Sequence, residues 1–217
     1  MLKHLLLSLT VLIAAPLFAA SLFAENSAKT FEEGKQYNVI TPAIRTANPD
    51  KIEVVEFFWY GCGHCYNFEP VIGHWKKSLG DDVEFKGSPA VWAPQMELHS
   101  KMYFAAEVLG VLDKMHLVLF QAMNVDKKRL QSESEIAALF VANGVSEEDF
   151  SKAFNSFGVS SMVRQATARA RAAKISGTPE MMVNGKYRIS TRMGINQGEM
   201  LEVVEFLIEK ERAARGG

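Results

Sequence analysis

Cysteine is almost absent from this 217-residue chain, which has two, Cys62 and Cys65. A disulfide-stapled scaffold would need more of them, at wider spacing. The fold must therefore stand on its core, and the pair has another task. A dominant charge is missing too. The 24 basic and 25 acidic side chains leave a formal net charge of −1 and form no long run of either sign. Nucleic acid and anionic membrane are thus unsupported as partners, since both select clustered Lys or Arg. Beyond the amino terminus no apolar segment approaches the roughly 20 residues that span a bilayer. The chain also lacks internal repeats and low-complexity stretches.

What is present suffices for one good core, or one core with a smaller satellite: 48% of residues are hydrophobic and 23% charged, ordinary values for a folded domain of this length. The amino terminus, residues 1–24, reads as a secretory signal peptide. Lys3 supplies positive charge, residues 5–20 are almost wholly apolar, and small residues (Ala19, Ala20, Ser21, Ala24) precede the polar Glu25-Asn26. Cleavage after Ala24 fits the change in polarity. Cleavage after Ser21 is the alternative, and an uncleaved anchor is the competing reading. An exported chain lives where disulfides persist.

The pattern then predicts the order of elements. Residues 37–40 are a short candidate strand. Residues 51–59 are apolar at nearly every position, as a central strand covered on both faces would be. From residue 63 to about 79 the period changes: Phe68, Val71, Ile72, Trp75 and Leu79 recur at three and four, which predicts an amphipathic helix kinked at Pro70. Residues 83–86 predict a strand ended by Ser88-Pro89. Residues 95–175 hold no convincing strand and read as helices. Within them Ser132 and Glu135 have capping-box spacing. Ser146 can cap a helix carrying Phe150, Phe154 and Phe157, and a long helix follows over 160–175. Strands return at 179–183 and 186–189 around Asn184-Gly185, the strongest short hairpin signal. Asn196 with Glu199 starts a closing helix. The expected architecture is α/β: a sheet-containing unit from 25–94 and 176–217, with 95–175 as an all-helical insertion.

Cys62-Gly63-His64-Cys65 falls between the buried strand and the helix. A helix amino terminus presents unpaired N–H groups and a partial positive charge, so a thiolate there is stabilised and its pKa falls. Cys62 is expected to be the exposed, reacting sulfur, and Cys65, one turn deeper, the resolving one. The imidazole of His64 can donate to the Cys62 sulfur or place positive charge near it. Either favours the reduced form, which makes the pair a donor of its disulfide. Glu56 stands in an apolar strand, where a charge is costly. Buried beneath the cysteines it would have a raised pKa and could serve Cys65 as a proton shuttle. On a solvated face, paired with a Lys, it would do neither. Zinc would need two further ligands, and His74, His99 and His116 show no paired spacing; they read as surface or core residues. Haem attachment needs a His after the second Cys, where Tyr66 stands.

At these residues the chain resembles a known family. Val54-Val55-Glu56-Phe57-Phe58-Trp59-Tyr60-Gly61-Cys62-Gly63-His64-Cys65 is similar to the active-site strand and turn of the thioredoxin superfamily, with Glu56 six residues before the first Cys and Pro70 five after the second. More narrowly, the x-His dipeptide, Cys65-Tyr66-x-Phe68-Glu69 and the helical insertion resemble the DsbA family of periplasmic dithiol oxidases. Thr178-Pro179 then occupies the family's cis-proline position. The resemblance implies a thioredoxin-like fold with an inserted helical domain. It implies substrate binding at Thr178 and Pro179, and oxidation of unfolded exported proteins through Cys62 and Cys65. A membrane quinone-linked partner of the DsbB type would reoxidise the pair. No flavin, metal or nucleotide is implied, and a monomer is expected. Two positions depart from the best-known member: Gly-His replaces Pro-His, and Thr178 replaces Val. Both tune redox potential. Lys86 could match a Lys that the family places near the buried acid. A disulfide isomerase or reductase is the rival within the same chemistry, although residues 25–45 are too few for an isomerase's dimerisation domain. A redox-dependent chaperone is the rival from another class.

Overall fold

The computed structural model describes residues 29–216. The segment read as an export signal lies outside them. The first strand, β1 (Asn38–Val39), is followed by β2 (Ile52–Phe58), around which the fold is organised. All seven β2 residues are buried, Glu53 and Glu56 among them, as a strand apolar at nearly every position predicts for one covered on both faces. Ile52 and Val54 pack with Phe68, Ile72, Val203 and Leu207, while Val55 and Phe57 pack with Ala170, Ile175 and Met182. Helix α1 (Gly63–Trp75) carries the chain to β3 (Val83–Pro89), which pairs parallel to β2. After five helices come β4 (Glu180–Val183), β5 (Tyr187–Ser190) and the closing α7 (Gln197–Arg215). The sheet order is β1-β5-β4-β2-β3, with every pairing other than β2–β3 antiparallel.

The intervening helices are α2 (Pro94–Val108), α3 (Leu112–Asn124), α4 (Glu133–Ala142), α5 (Glu147–Phe154) and α6 (Phe157–Ala172). They bury a core of their own, with Met102, Met115, Phe120, Phe140, Phe150 and Phe154 at 0–1% exposure. Each such side chain contributes about 1.5–3 kcal/mol by leaving water. Phe58, Tyr60 and Cys65 join the same cluster, so the helical core reaches the end of β2 and the start of α1. No helix among the described residues is long and apolar enough to cross a membrane.

Local signals set most boundaries. Ser132, Ser146, Ser156 and Asn196 each accept a backbone N–H three residues on, capping α4 to α7. The full reciprocal box forms only at Asn196 and Glu199. At Ser132 the Glu135 carboxylate instead takes the N–H of Gln131 at 2.7 Å. Asn184 and Gly185 turn the hairpin at φ 50° and 65°, closed by Lys186 N–H to Val183 O at 3.0 Å.

Two boundaries depart from the sequence pattern. β3 runs on through Ser88 and Pro89, because Phe58 at the end of β2 still pairs with Pro89; a proline is tolerated at a sheet edge, where its missing donor is not needed. α6 begins at Phe157, since Ser156 caps it. Phe157 is therefore no part of the apolar face of α5: it is 81% exposed, with the Arg164 guanidinium 5.5 Å from its ring centroid.

Candidate active site

Cys62 is the N-cap residue of α1, whose first turn carries no acidic side chain. The strand-to-helix turn is fixed by Cys62 N–H to Trp59 O at 2.9 Å and Tyr66 N–H to Cys62 O at 3.0 Å. The Cys62 sulfur is partly exposed and that of Cys65 is buried; both are free thiols. The Cys65 S–H donates to the Cys62 sulfur and is the largest influence on it. The Thr178 side chain and the backbone N–H groups of Cys65 and His64 add to it against the cost of burial, and the Cys62 pKa falls to about 5. Cys65 moves the opposite way. Burial, its donation to Cys62 and the Glu56 carboxyl hold its thiol far above the usual range.

The structure places His64 with its side chain exposed. What it supplies to the sulfur is its backbone N–H, and its carbonyl accepts from Gln197 Nε2 at 2.7 Å. Thr178–Pro179 is a cis peptide placed just ahead of β4. As a thiol, Cys62 donates to the Thr178 carbonyl at 3.4 Å. As a thiolate it cannot, and the Thr178 hydroxyl is then the group on that residue able to hold the charge.

Glu56 lies on the buried side of the choice left open by its sequence context: it is 2% exposed, and its Oε1 has no partner. Burial, then the charge of Glu69, raise its pKa well above the carboxylate range, with Lys76 opposing. Lys86 does not pair with it. That ammonium sits 3.2 Å from Glu53 and 3.0 Å from Glu84, and Arg169 completes the Glu53 pairing at 2.8 Å. The reason is register: Lys86 stands opposite Val55, and the residue opposite Glu56 is Gly87. A Cβ on Gly87 would come 2.8 Å from the Tyr103 hydroxyl, so the glycine admits that ring beside the acid.

Two groups went unnoticed as site residues. Glu69 is 7% exposed and lies one turn beyond Cys65 on the buried side of α1, a spacing that could have marked it. His116 comes from α3, and nothing local marks it. Its Nε2 lies 3.2 Å from Glu69 Oε1 and its Nδ1 2.9 Å from the Tyr60 hydroxyl. With an ionised Glu69, the consistent arrangement is Nε2–H donating to the carboxylate and Tyr60 O–H donating to Nδ1. Glu56, Glu69, His116, Lys76 and Tyr103 line a cavity of about 670 Å³. An isolated buried carboxyl opposes folding. Glu56→Met is therefore expected to raise stability by about 1–3 kcal/mol, the cost of a buried polar group left without a partner. Urea unfolding measures it, and a loss of stability would show that the carboxyl is held by bonds of its own.

Comparison with known proteins follows this geometry. Residues 72–203 match the family model described as a DSBA-like thioredoxin domain. The thiol:disulfide interchange protein DsbA of Pseudomonas syringae pv. tomato is 40% identical over 206 residues, covering 94% of this chain and 96% of that protein. The Azotobacter vinelandii protein of the same name is 39% identical with the same coverage. Among solved structures, Pseudomonas aeruginosa DsbA superposes with a TM-score of 0.83 at 37% identity, over 86% of this chain and 97% of that one. The oxidoreductase DsbA of Xylella fastidiosa gives 0.78 at 31% identity, over 84% and 98%. With its five-stranded sheet, its inserted helices and its cysteine pair at the start of α1, this chain belongs to the DsbA family of thioredoxin-fold thiol:disulfide oxidoreductases.

Proposed function

We propose that the protein is a periplasmic dithiol oxidase that donates the Cys62–Cys65 disulfide to newly exported proteins. The opposite tuning of the two sulfurs carries this reading. A Cys62 thiolate with a pKa of about 5 favours the reduced pair, and a pair favoured in its reduced form gives its disulfide away. Against an unfolded value near 8.5 that preference would reach about 2.7 kcal/mol at pH 7. The sulfur is half exposed, so screening reduces it to about 1–2 kcal/mol, or about 20–45 mV of added oxidising potential.

In the proposed cycle a client thiolate attacks Cys62 Sγ. The Cys62–Cys65 bond breaks, its electron pair passes to Cys65, and that sulfur takes up a proton, with the Glu56 carboxyl as the donor. A second client thiolate attacks the client sulfur of the mixed disulfide, and Cys62 leaves as a thiolate, which its low pKa speeds. The client's two thiols have then lost two electrons and two protons; the enzyme pair has gained both electrons and, through Glu56, which is reprotonated from solvent, one proton on Cys65, and the second proton goes to solvent. Thr178 and Pro179 would receive the extended client segment, with the Thr178 backbone as hydrogen-bonding partner. His64 would add the field of its imidazole to the backbone N–H groups. Residues 25–94 and 176–217 act in this reading as the catalytic domain, and 95–175 as its helical cover. The chain works as a monomer, exported through cleavage of residues 1–24, and a membrane quinone-linked partner of the DsbB type restores the disulfide.

Equilibration of the purified protein in glutathione buffers tests the direction. The expected potential lies well above the roughly −270 mV of a thioredoxin-type reductant. A value at or below that level would turn the reading to a reductase.

A further inference from the structure

We infer that the loop between α3 and α4 is a specificity surface: Lys127, Lys128 and Arg129, beside the cysteine pair, select clients that carry acidic residues next to the cysteine to be oxidised. The inference rests on the oxidase reading and names the substrate class of the same site.

The loop is fastened to the active site at both ends. At its start, Asn124 Nδ2 donates to the Tyr60 carbonyl at 2.8 Å and to the Phe120 carbonyl at 2.9 Å. A Cβ on Gly63, between the two cysteines, would come 3.9 Å from Asn124 Oδ1. Further along, His99, 1% exposed, sets its Nε2 3.2 Å from the carbonyls of both Arg129 and Leu130. Its Nδ1 accepts from Trp59 Nε1 at 3.0 Å, and Gln95 Nε2 also donates to Leu130 O at 3.0 Å. Leu130 itself is a buried anchor at 2% exposure. Lys127 and Leu130 both adopt left-handed backbone, at φ 58° and 49°. Side chains with a Cβ disfavour that conformation, and it persists only where the surroundings impose it. The backbone is thus committed inward while the three cations stand exposed.

Those cations border a pocket of about 250 Å³ whose other lining includes Trp59, Gly61 and Met123. Gly61 is the residue before Cys62, so the lining of the pocket reaches to one residue from the reacting cysteine. Among the described residues none of the three cations has a carboxylate within ion-pairing distance. Lys127 Nζ meets only the Asn124 carbonyl, at 2.5 Å. The acidic residues of this stretch are Asp126, exposed in the same loop, Glu133, whose carboxylate accepts from Asn155 and Ser151, and Glu135, whose carboxylate is engaged by the Gln131 N–H. With both glutamates held by donors of their own, three adjacent cations face one uncommitted carboxylate, Asp126, and the rim is positive. A client chain crossing the Cys62 sulfur would lay its flanking residues on that rim. Opposite charge there raises the rate of productive encounter, and salt screens it.

The test uses the oxidised full-length protein and reduced two-cysteine peptides that differ only in three Asp, three Ser or three Lys beside the first cysteine. Oxidation rates are measured at low and high salt. At low salt the acidic peptide is expected to react about 10-fold faster than the basic one, a size typical of electrostatic steering, with the ratio contracting at high salt. The variant Lys127→Glu/Lys128→Glu/Arg129→Glu is expected to invert the ratio. A ratio is independent of how much variant folds. Equal rates for all three peptides, or a ratio unmoved by the charge reversal, would overturn the inference and leave the oxidase reading standing. No oxidation of any peptide would overturn both. Equal peptide rates together with flotation on phosphatidylglycerol vesicles, lost on charge reversal, would give the patch to a lipid surface and overturn it as well.

Discussion

A Cys62→Ser protein is expected to leave reduced clients at the uncatalysed background rate. A serine hydroxyl stays protonated at neutral pH and cannot form the disulfide that is donated, so no fraction of the activity survives through Cys65. That sulfur is buried, and its thiol is held protonated by its surroundings. Cys65→Ser should fail differently. The Cys62 thiolate keeps its place at the head of α1 and still attacks a disulfide, but no neighbouring sulfur can then resolve the product. Incubated with an oxidised client or with glutathione disulfide, this variant is expected to accumulate a mixed disulfide on Cys62, visible by non-reducing electrophoresis and mass. The Cys65 thiol is also the largest of the influences that lower the Cys62 pKa; Cys65→Ala, which removes that donor where a serine hydroxyl would keep one, should therefore carry a thiolate that titrates at higher pH. Oxidase activity in Cys62→Ser equal to that of the unmodified protein would end the mechanism.

The second large effect is thermodynamic. The reduced protein should be the more stable form at pH 7, with an advantage that shrinks on acidification. The folded Cys62 pKa of about 5 lies below the unfolded value near 8.5. A depressed pKa contributes stability that is present above the unfolded pKa and is lost as pH falls through the folded one. Cys65 is raised, so its effect appears only as pH climbs past its unfolded pKa. Between pH 5 and 8.5 Cys62 therefore governs the difference. Between pH 7 and pH 5 the advantage of the reduced form should fall by about 1–2 kcal/mol, after allowance for the partial exposure of the sulfur. The disulfide's constraint on the unfolded chain acts in the other direction, but it does not vary with pH. Paired urea unfolding of the oxidised and reduced forms across this range isolates the thiolate contribution. A difference that stays flat with pH would remove the thiolate as the source of the redox preference.

Whether a feature was legible in the sequence followed the range of the interaction behind it. The cysteine pair, the caps at Ser146 and Asn196 and the Asn184-Gly185 turn are decided within four residues, by backbone donors and left-handed backbone preference. The burial of β2 followed from a run apolar at nearly every position. The reach of β3 to Pro89 did not, since a parallel partner rather than local preference holds it. Phe157 looked like core by spacing and is surface, because the cap at Ser156 starts a new helix there.

By itself, then, the sequence determined the reaction: two sulfurs one turn apart at a strand-to-helix junction, with an acid in the strand beneath and Thr178-Pro179 ahead of the hairpin. Those choices are chemical and local. Only the tertiary structure decided which groups complete the site. It paired Lys86 with Glu53 and left the Glu56 Oε1 without a partner. It turned the His64 backbone rather than its ring to the sulfur, and it brought His116 from α3 to Glu69 and Tyr60. The Lys86–Glu53, His116–Glu69 and His116–Tyr60 contacts join segments 33 to 56 residues apart. At such separations sheet register and helix packing set the distances, and no pattern within one element reports them.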